Sequence, residues 1–300
     1  MFTKKRGRIA IVVSALALAG LFSGTSLVGA EEAKGSAGPN TGKLSFSAGV
    51  DFTTQYFFRG ILQENQDFIA QPFGEITATL YEGSEGLNSV STTVGIWNSL
   101  HSGPTGADGE TQDPTIWYEA DFYGGLNFGL FDNWDAGILY TAYTSPNDSF
   151  ATIQEIAFSV GFDDSALLGA FALSPHVLWA IEVQGQAEGG TDKGVYMELG
   201  IEPGFTLVES ENYPVSLAFP VTVGLSLDDY YEDATGDDDT FGYFNGGIVA
   251  SMPLGFMPAD FGAWEVYVGV NFLVLGDNLE AVNNGDSFET IGTVGISMTY

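Results

Sequence analysis

Two stretches decide the fold: Val215-Ser-Leu217-Ala-Phe219-Pro-Val221-Thr-Val223-Gly-Leu225-Ser-Leu227 and Trp264-Glu-Val266-Tyr-Val268-Gly-Val270-Asn-Phe272. In both, every second residue is large and apolar, and the residues between are mostly small or polar. An extended chain turns successive side chains to opposite faces, so each stretch has one oily face and one mixed face. The pattern recurs from Lys43 to the last residue, broken by clusters of Gly, Asp, Asn and Pro, with no sustained helical period. Twelve strands are predicted: 43–56, 71–82, 89–98, 114–128, 131–144, 150–163, 167–186, 193–208, 213–228, 240–253, 262–276 and 286–300. Strands of soluble sandwiches average about 5 to 6 residues, whereas a strand that crosses a bilayer needs about 9 to 11. These are of the longer kind. The expected fold class is therefore all-β: a transmembrane antiparallel up-and-down β-barrel of about twelve strands, with the apolar parity facing lipid and the mixed parity facing the lumen.

Composition agrees. The 300 residues include 40 glycines and no cysteine, which suits many tight turns and excludes a disulfide scaffold and a cysteine-ligated metal. Eight Lys+Arg against 39 Asp+Glu exclude a nucleic-acid partner, because a phosphate backbone would repel such a chain. Residues 1–30 read as a cleaved export signal, with Lys4, Lys5, Arg6 and Arg8, an apolar run from Ile9 to Phe22, and the small-residue exit Val28-Gly29-Ala30. Residues 31–42 read as a flexible leader, and 43–300 as the barrel. Beyond the signal only Lys34, Lys43, Arg59 and Lys193 are cationic.

Connection lengths predict an orientation. The expected outer connections are 57–70, 99–113, 145–149, 187–192, 229–239 and 277–285; the inner ones are 83–88, a break near 129, 164–166, 209–212 and 254–261. The three longest are outer, as in outer-membrane barrels, and an even strand count leaves both termini in the periplasm. Trp134, Tyr213 and Trp264 are expected at the inner interface, and Trp117, Tyr230 and Tyr231 at the outer one. The ending Val294-Gly-Ile296-Ser-Met298-Thr-Tyr300 has the form of a last strand that addresses barrel-assembly machinery.

Tyr56-Phe57-Phe58-Arg59-Gly60-Ile61 with Gln63, then Glu119-Ala-Asp121-Phe122-Tyr123-Gly-Gly125, Gly137-Ile-Leu-Tyr140-Thr-Ala-Tyr143-Thr-Ser-Pro146 and Glu155, together resemble motifs of the TorF-like family of outer-membrane porins. The resemblance covers about residues 44–162, with Leu62 in place of a family serine and Thr141 in place of a tyrosine. It implies an outer-membrane location and a pore without an assigned substrate.

On the mixed face the pore-lining candidates are Arg59, Glu75, Glu119, Asp121, Asp135, Glu155, Glu182, Glu198, Glu202, Glu265 and Glu289, with Asp51 beside them. A wet lumen so lined favours cations; the competing reading is a barrel closed by its own side chains. Arg59 is expected to fold inward beside Gly60 and to pair with Glu119, Asp121 or Glu155. Asp228, Asp229, Asp233, Asp237, Asp238 and Asp239 crowd one outer loop and offer oxygens for loosely bound calcium, although the flanking helices and twelfth-position glutamate of an EF-hand are missing. The alternative for that loop is a solvated acidic surface, and no other cofactor is expected. No serine-bearing motif of the barrel phospholipases stands beside His101 or His176, so no enzyme is expected. The expected function is a passive channel preferring cations or small solutes; a closed interaction barrel and a secreted soluble β-sandwich are the alternatives.

Overall fold

The computed structural model describes residues 40, 42–103, 116–187, 189–190, 192–210, 213–233 and 235–300. The predicted signal at 1–30 and nearly all of the leader lie outside the described residues. The strands are β1 (Leu44–Thr53), β2 (Tyr56–Phe58), β3 (Ile61–Glu64), β4 (Ile69–Glu85), β5 (Leu87–His101), β6 (Trp117–Leu130), β7 (Trp134–Thr144), β8 (Ile153–Phe162), β9 (His176–Gln184), β10 (Val195–Ile201), β11 (Gly204–Val208), β12 (Val215–Ala218), β13 (Val221–Asp228), β14 (Phe241–Pro253), β15 (Ala263–Leu275) and β16 (Phe288–Thr299).

β1 pairs antiparallel with β4 on one side and with β16 on the other, and the ladder runs through every intervening stave without an edge. The result is one closed barrel, not two stacked sheets, which removes the soluble-sandwich alternative. Two of its twelve staves are broken, β10 with β11 and β12 with β13, at Pro203 and Pro220. A prolyl nitrogen has no hydrogen to donate to a ladder. The wall is closed there by Phe219 N–H to Pro203 O and Gly247 N–H to Pro220 O, both 2.8 Å.

All twelve predicted strands have a stave, with one large change of boundary. The strand predicted over 167–186 starts only at His176, and the inner connection expected at 164–166 is correspondingly longer. The chain before it forms a helical turn, α1 (Ser165–Leu168), and a 3-10 turn at Gly169–Phe171. The buried Asp164 carboxylate causes this, because it accepts from the backbone N–H groups of Leu173 and Ser174 at 3.0 and 3.1 Å and curls the segment back.

Outward parity carries Phe46, Ile76, Val94, Phe122, Ile138, Phe158, Leu199, Phe244, Val268 and Val294, all exposed. Inward parity carries the buried polar residues. Apolar outside and polar inside is the arrangement of a barrel that stands in lipid. Trp134, Tyr213, Phe256, Phe261 and Tyr300 are exposed at the end where β1 begins and β16 finishes, and Trp117 is exposed at the other.

That other end is closed from within. The connection expected to be an outer loop over 57–70 contains the β2–β3 hairpin, which turns into the lumen. Arg59 and Gly60 form its tip, with φ of 48° and 84°. Two successive positive φ values are the signature of the hairpin turn that matches strand twist. Tyr56, Phe57 and Phe58 are all buried, packed in one cluster with Tyr143, Tyr196, Tyr230, Tyr231, Tyr243, Leu273 and Leu279. The apolar core of this protein thus sits inside the barrel's mouth. Tyr230 and Tyr231 belong to it, which corrects their expected place in an outer girdle: the chain reverses at Asp229 (φ 45°) and carries both rings inward. The last connection contains a second helix, α2 (Asp277–Val282), where Leu279 packs on the hairpin.

Candidate functional site

The hairpin tip is held by one side chain in particular. The Arg59 guanidinium donates to both carboxylate oxygens of Glu155, Nη1 to Oε2 at 2.5 Å and Nη2 to Oε1 at 2.8 Å, and Nη1 also donates to the Tyr230 hydroxyl at 2.8 Å. The Tyr196 ring lies against its flat face, 4.2 Å from the guanidinium carbon. A planar fork on a carboxylate, with a π-face beneath it, is the geometry in which arginine is favoured over lysine. Both partners are buried, at 1% and 3% exposure, so the pair is shielded from water. The Tyr143 hydroxyl adds a third donor to Glu155 at 3.3 Å.

The hairpin backbone is clamped as well. Asn283, just after α2, donates from Nδ2 to Gly60 O at 2.7 Å and accepts at Oδ1 from Leu62 N–H at 2.8 Å. The Tyr231 hydroxyl donates to Arg59 O at 3.0 Å. Gly60 is needed at the tip, because a Cβ there would lie 2.5 Å from Leu279 Cδ1 and φ is positive.

Of the pore-lining candidates, Arg59, Glu119, Asp121 and Glu155 come together at this plug. Glu119 and Asp121 lie on β6, two residues apart and therefore on one face, and Tyr56 of the hairpin donates to Glu119 Oε2 at 2.9 Å. Glu182 is turned back onto its own loop, accepting from Ala187 and Gly194 N–H at 2.6 and 2.9 Å. Glu198 accepts from Tyr196 and Tyr243 at 2.9 and 3.2 Å and lies 3.7 Å from His176 Nε2. Glu75 takes the Tyr123 hydroxyl at 3.3 Å, Asp51 takes Tyr267, and Glu289 takes Gln55 Nε2 at 3.0 Å. Asp135, Glu202 and Glu265 are half-buried on staves below the plug, towards the end where β1 begins and β16 finishes.

In the acidic loop, Asp233 Oδ1 accepts from Thr235 N–H and Oγ1, both at 2.7 Å, and from Asp237 N–H at 3.0 Å. Those bonds, led by the Thr235 hydroxyl, hold its carboxyl below the usual carboxylate range. Asp238 accepts from Tyr231 N–H and Ser226 Oγ at 3.0 and 2.9 Å, and Asp239 accepts from Phe241 N–H at 3.3 Å. Among the described residues no three His, Cys, Asp or Glu side chains, Asp228, Asp229 and Asp237 included, converge as a metal cradle.

Sequence reasoning missed the clamps Asn283, Tyr196 and Tyr230, and one further contact. Ser99 Oγ lies 2.7 Å from His101 Nε2, so a serine does stand beside a histidine. Their spacing of two on a strand was the available signal, since it puts both side chains on one face. Glu64 Oε2 lies 4.0 Å from His101 Nδ1, longer than a hydrogen bond, and all three side chains are buried.

No family model and no curated protein matches this chain. Among solved structures it is similar to LpxR from Salmonella typhimurium, with TM-score 0.44, 8% identity, and coverage of 85% of this chain and 99% of that one. It is also similar to an outer membrane channel from Pseudomonas putida F1, with TM-score 0.43, 10% identity, and coverage of 89% and 98%. A third similarity is to the NanC porin, with TM-score 0.40, 11% identity, and coverage of 85% and 98%.

Proposed function

We propose that this protein is a passive channel of the outer membrane, closed in the state described by its own β2–β3 hairpin, and that its acidic lumen favours cations or small cationic solutes. The observation that carries the reading is the buried Arg59–Glu155 pair, which anchors the hairpin inside a lumen otherwise rich in carboxylates. On this reading the end where β1 begins and β16 finishes faces the periplasm, after cleavage of the export signal, and the hairpin end faces outward. The β16 strand, ending in Tyr300, would be the segment offered to the assembly machinery. The stretches that resemble the TorF-like family support the reading, because Tyr56 to Gly60, Glu119 with Asp121, Tyr143 and Glu155 all meet at the plug.

The dense burial of the plug also favours a second reading, a closed barrel that presents its acidic loop to a partner and never conducts. Planar-bilayer recording separates the two. A variant in which residues 56–64 are replaced by a Gly/Ser linker should conduct more than the wild type, with a reversal potential of cationic sign in asymmetric salt. A silent linker variant would discard the channel, and an anionic reversal potential would discard the lumen chemistry.

A further inference from the structure

Glu119 and Asp121 are 4% and 0% exposed and, two residues apart on β6, project side by side from one face of the strand. Among the described residues neither oxygen of Asp121 has an N–H or O–H donor. Around the pair, β5 places Trp97 opposite Asp121 and Ser99 opposite Glu119, and β7 places Tyr143 opposite Asp121. The Tyr143 hydroxyl is directed to Glu155 and Tyr56 to Glu119, while Tyr118 and Tyr123 on β6 itself donate to Gln63 and Glu75. Beyond the pair, β8 contributes Glu155, which takes both terminal nitrogens of Arg59, the guanidinium nearest to it. Among the described residues no positive charge pairs with Asp121.

Two ionised carboxylates side by side, away from water and with no donor on Asp121, repel each other at close range; one proton between them converts that repulsion into a charge-assisted O–H···O⁻ bond. We infer that Glu119 and Asp121 form a proton-binding site in the lumen, a carboxylic acid bonded to a carboxylate, and that the bound proton is a condition for seating the hairpin. Tyr56 couples the two, since it donates to Glu119 and is itself part of the hairpin. Loss of the proton places a second negative charge beside Glu119 and Glu155. Water must then enter to solvate it, and the hairpin occupies the space through which water would come.

The seated state thus holds one proton more than the lifted state. Its stability is complete at low pH and falls as pH rises, by up to about tenfold in the seating equilibrium per pH unit over the range in which only the seated pair is protonated. This coupling rests on the hairpin being the closed state of the channel, but the proton itself does not.

Two measurements on the full chain test the inference. At neutral pH the infrared spectrum should contain a protonated-carboxyl band that disappears in Asp121→Asn and in Glu119→Gln. The chain has no cysteine, so Ile61→Cys gives a single thiol on the hairpin, and its labelling rate reports seating without any need for conductance. That rate should climb with pH in the wild-type background and stay flat with Asp121→Asn, whose amide can donate to Glu119 permanently; Glu119→Gln serves if the Asn variant does not fold. A band that neither substitution removes, or labelling that climbs equally in the substituted background, would overturn the inference.

Discussion

Removal of the Arg59 side chain is the sharpest perturbation of the plug. Arg59→Ala deletes two bonds to Glu155, one to Tyr230 and the contact with the Tyr196 face, and leaves Glu155 as an unpaired charge at 3% exposure. Breaking a buried pair from one side costs about 3–5 kcal/mol, most of it from the stranded partner. At about 1.4 kcal/mol per factor of ten, that weakens hairpin seating by roughly two to three and a half orders of magnitude. Against this stand Tyr56, Phe57 and Phe58, whose burial contributes about 1.5–3 kcal/mol each on the scale of a fully buried phenylalanine. The hairpin should therefore become loose without leaving the lumen for good. Thiol labelling at Ile61→Cys should accelerate by at least tenfold, and the temperature at which the folded band converts on a gel should drop. The decisive control is Arg59→Ala with Glu155→Gln: once the stranded charge is gone, much of the loss should return, whereas additive damage would show that the pair was not the anchor. Labelling of the single variant within twofold of wild type would refute the argument outright.

Asn283→Ala strands the buried Gly60 O, at about 1–3 kcal/mol, and the half-buried Leu62 N–H, so it too should speed hairpin labelling, and wild-type rates would count against the clamp. Gly60→Ala meets both a positive φ and the Leu279 side chain; it should unseat the hairpin while leaving the barrel's strand content intact by circular dichroism, and unchanged labelling would show that the turn relaxes freely. In the acidic loop, Asp233 has its carboxyl held low in the folded state, so its contribution is present above the unfolded value of about 4 and is lost as pH falls through the folded value. Protection of the Thr235 and Asp237 amides, measured against the intrinsic exchange rate at each pH, should fall on acidification at that point and do so at higher pH in Thr235→Val; equal profiles would dismiss the Thr235 bond as the cause.

The staves were legible because a strand with lipid on one side and a lumen on the other must alternate over its whole length, and that period survives Pro203 and Pro220 in the predicted 193–208 and 213–228. Residues 167–175, predicted as strand, were misread for the converse reason. Ala166-Leu-Leu-Gly-Ala-Phe-Ala-Leu173 is apolar without alternating, and the outcome is decided by the Asp164 carboxylate, which composition does not reveal. The inward turn of Arg59 could be anticipated from an isolated arginine beside glycine. Its choice of Glu155 could not, because that depends on how deep the hairpin sits and hence on Tyr143, Tyr196 and Tyr230, far away in the chain. Tyr230 and Tyr231 illustrate the same limit: an aromatic pair at a loop base serves a membrane girdle or an internal plug equally well, and only the reversal at Asp229 separates them.

The plug is encoded early and its fastenings late. Arg59 and Gly60 are synthesised far ahead of Glu155, Tyr230 and Asn283, which are 96, 171 and 223 residues further on, counted from Arg59 for the first two and from Gly60 for the last. The seam between β1 and β16 closes only with the final strand. An unfinished barrel thus carries its stopper unlatched, with an uncompensated guanidinium in reach of whatever carboxylates surround it. Completion of the chain and locking of the mouth become one event, so a seated hairpin is a report that assembly has run to its end.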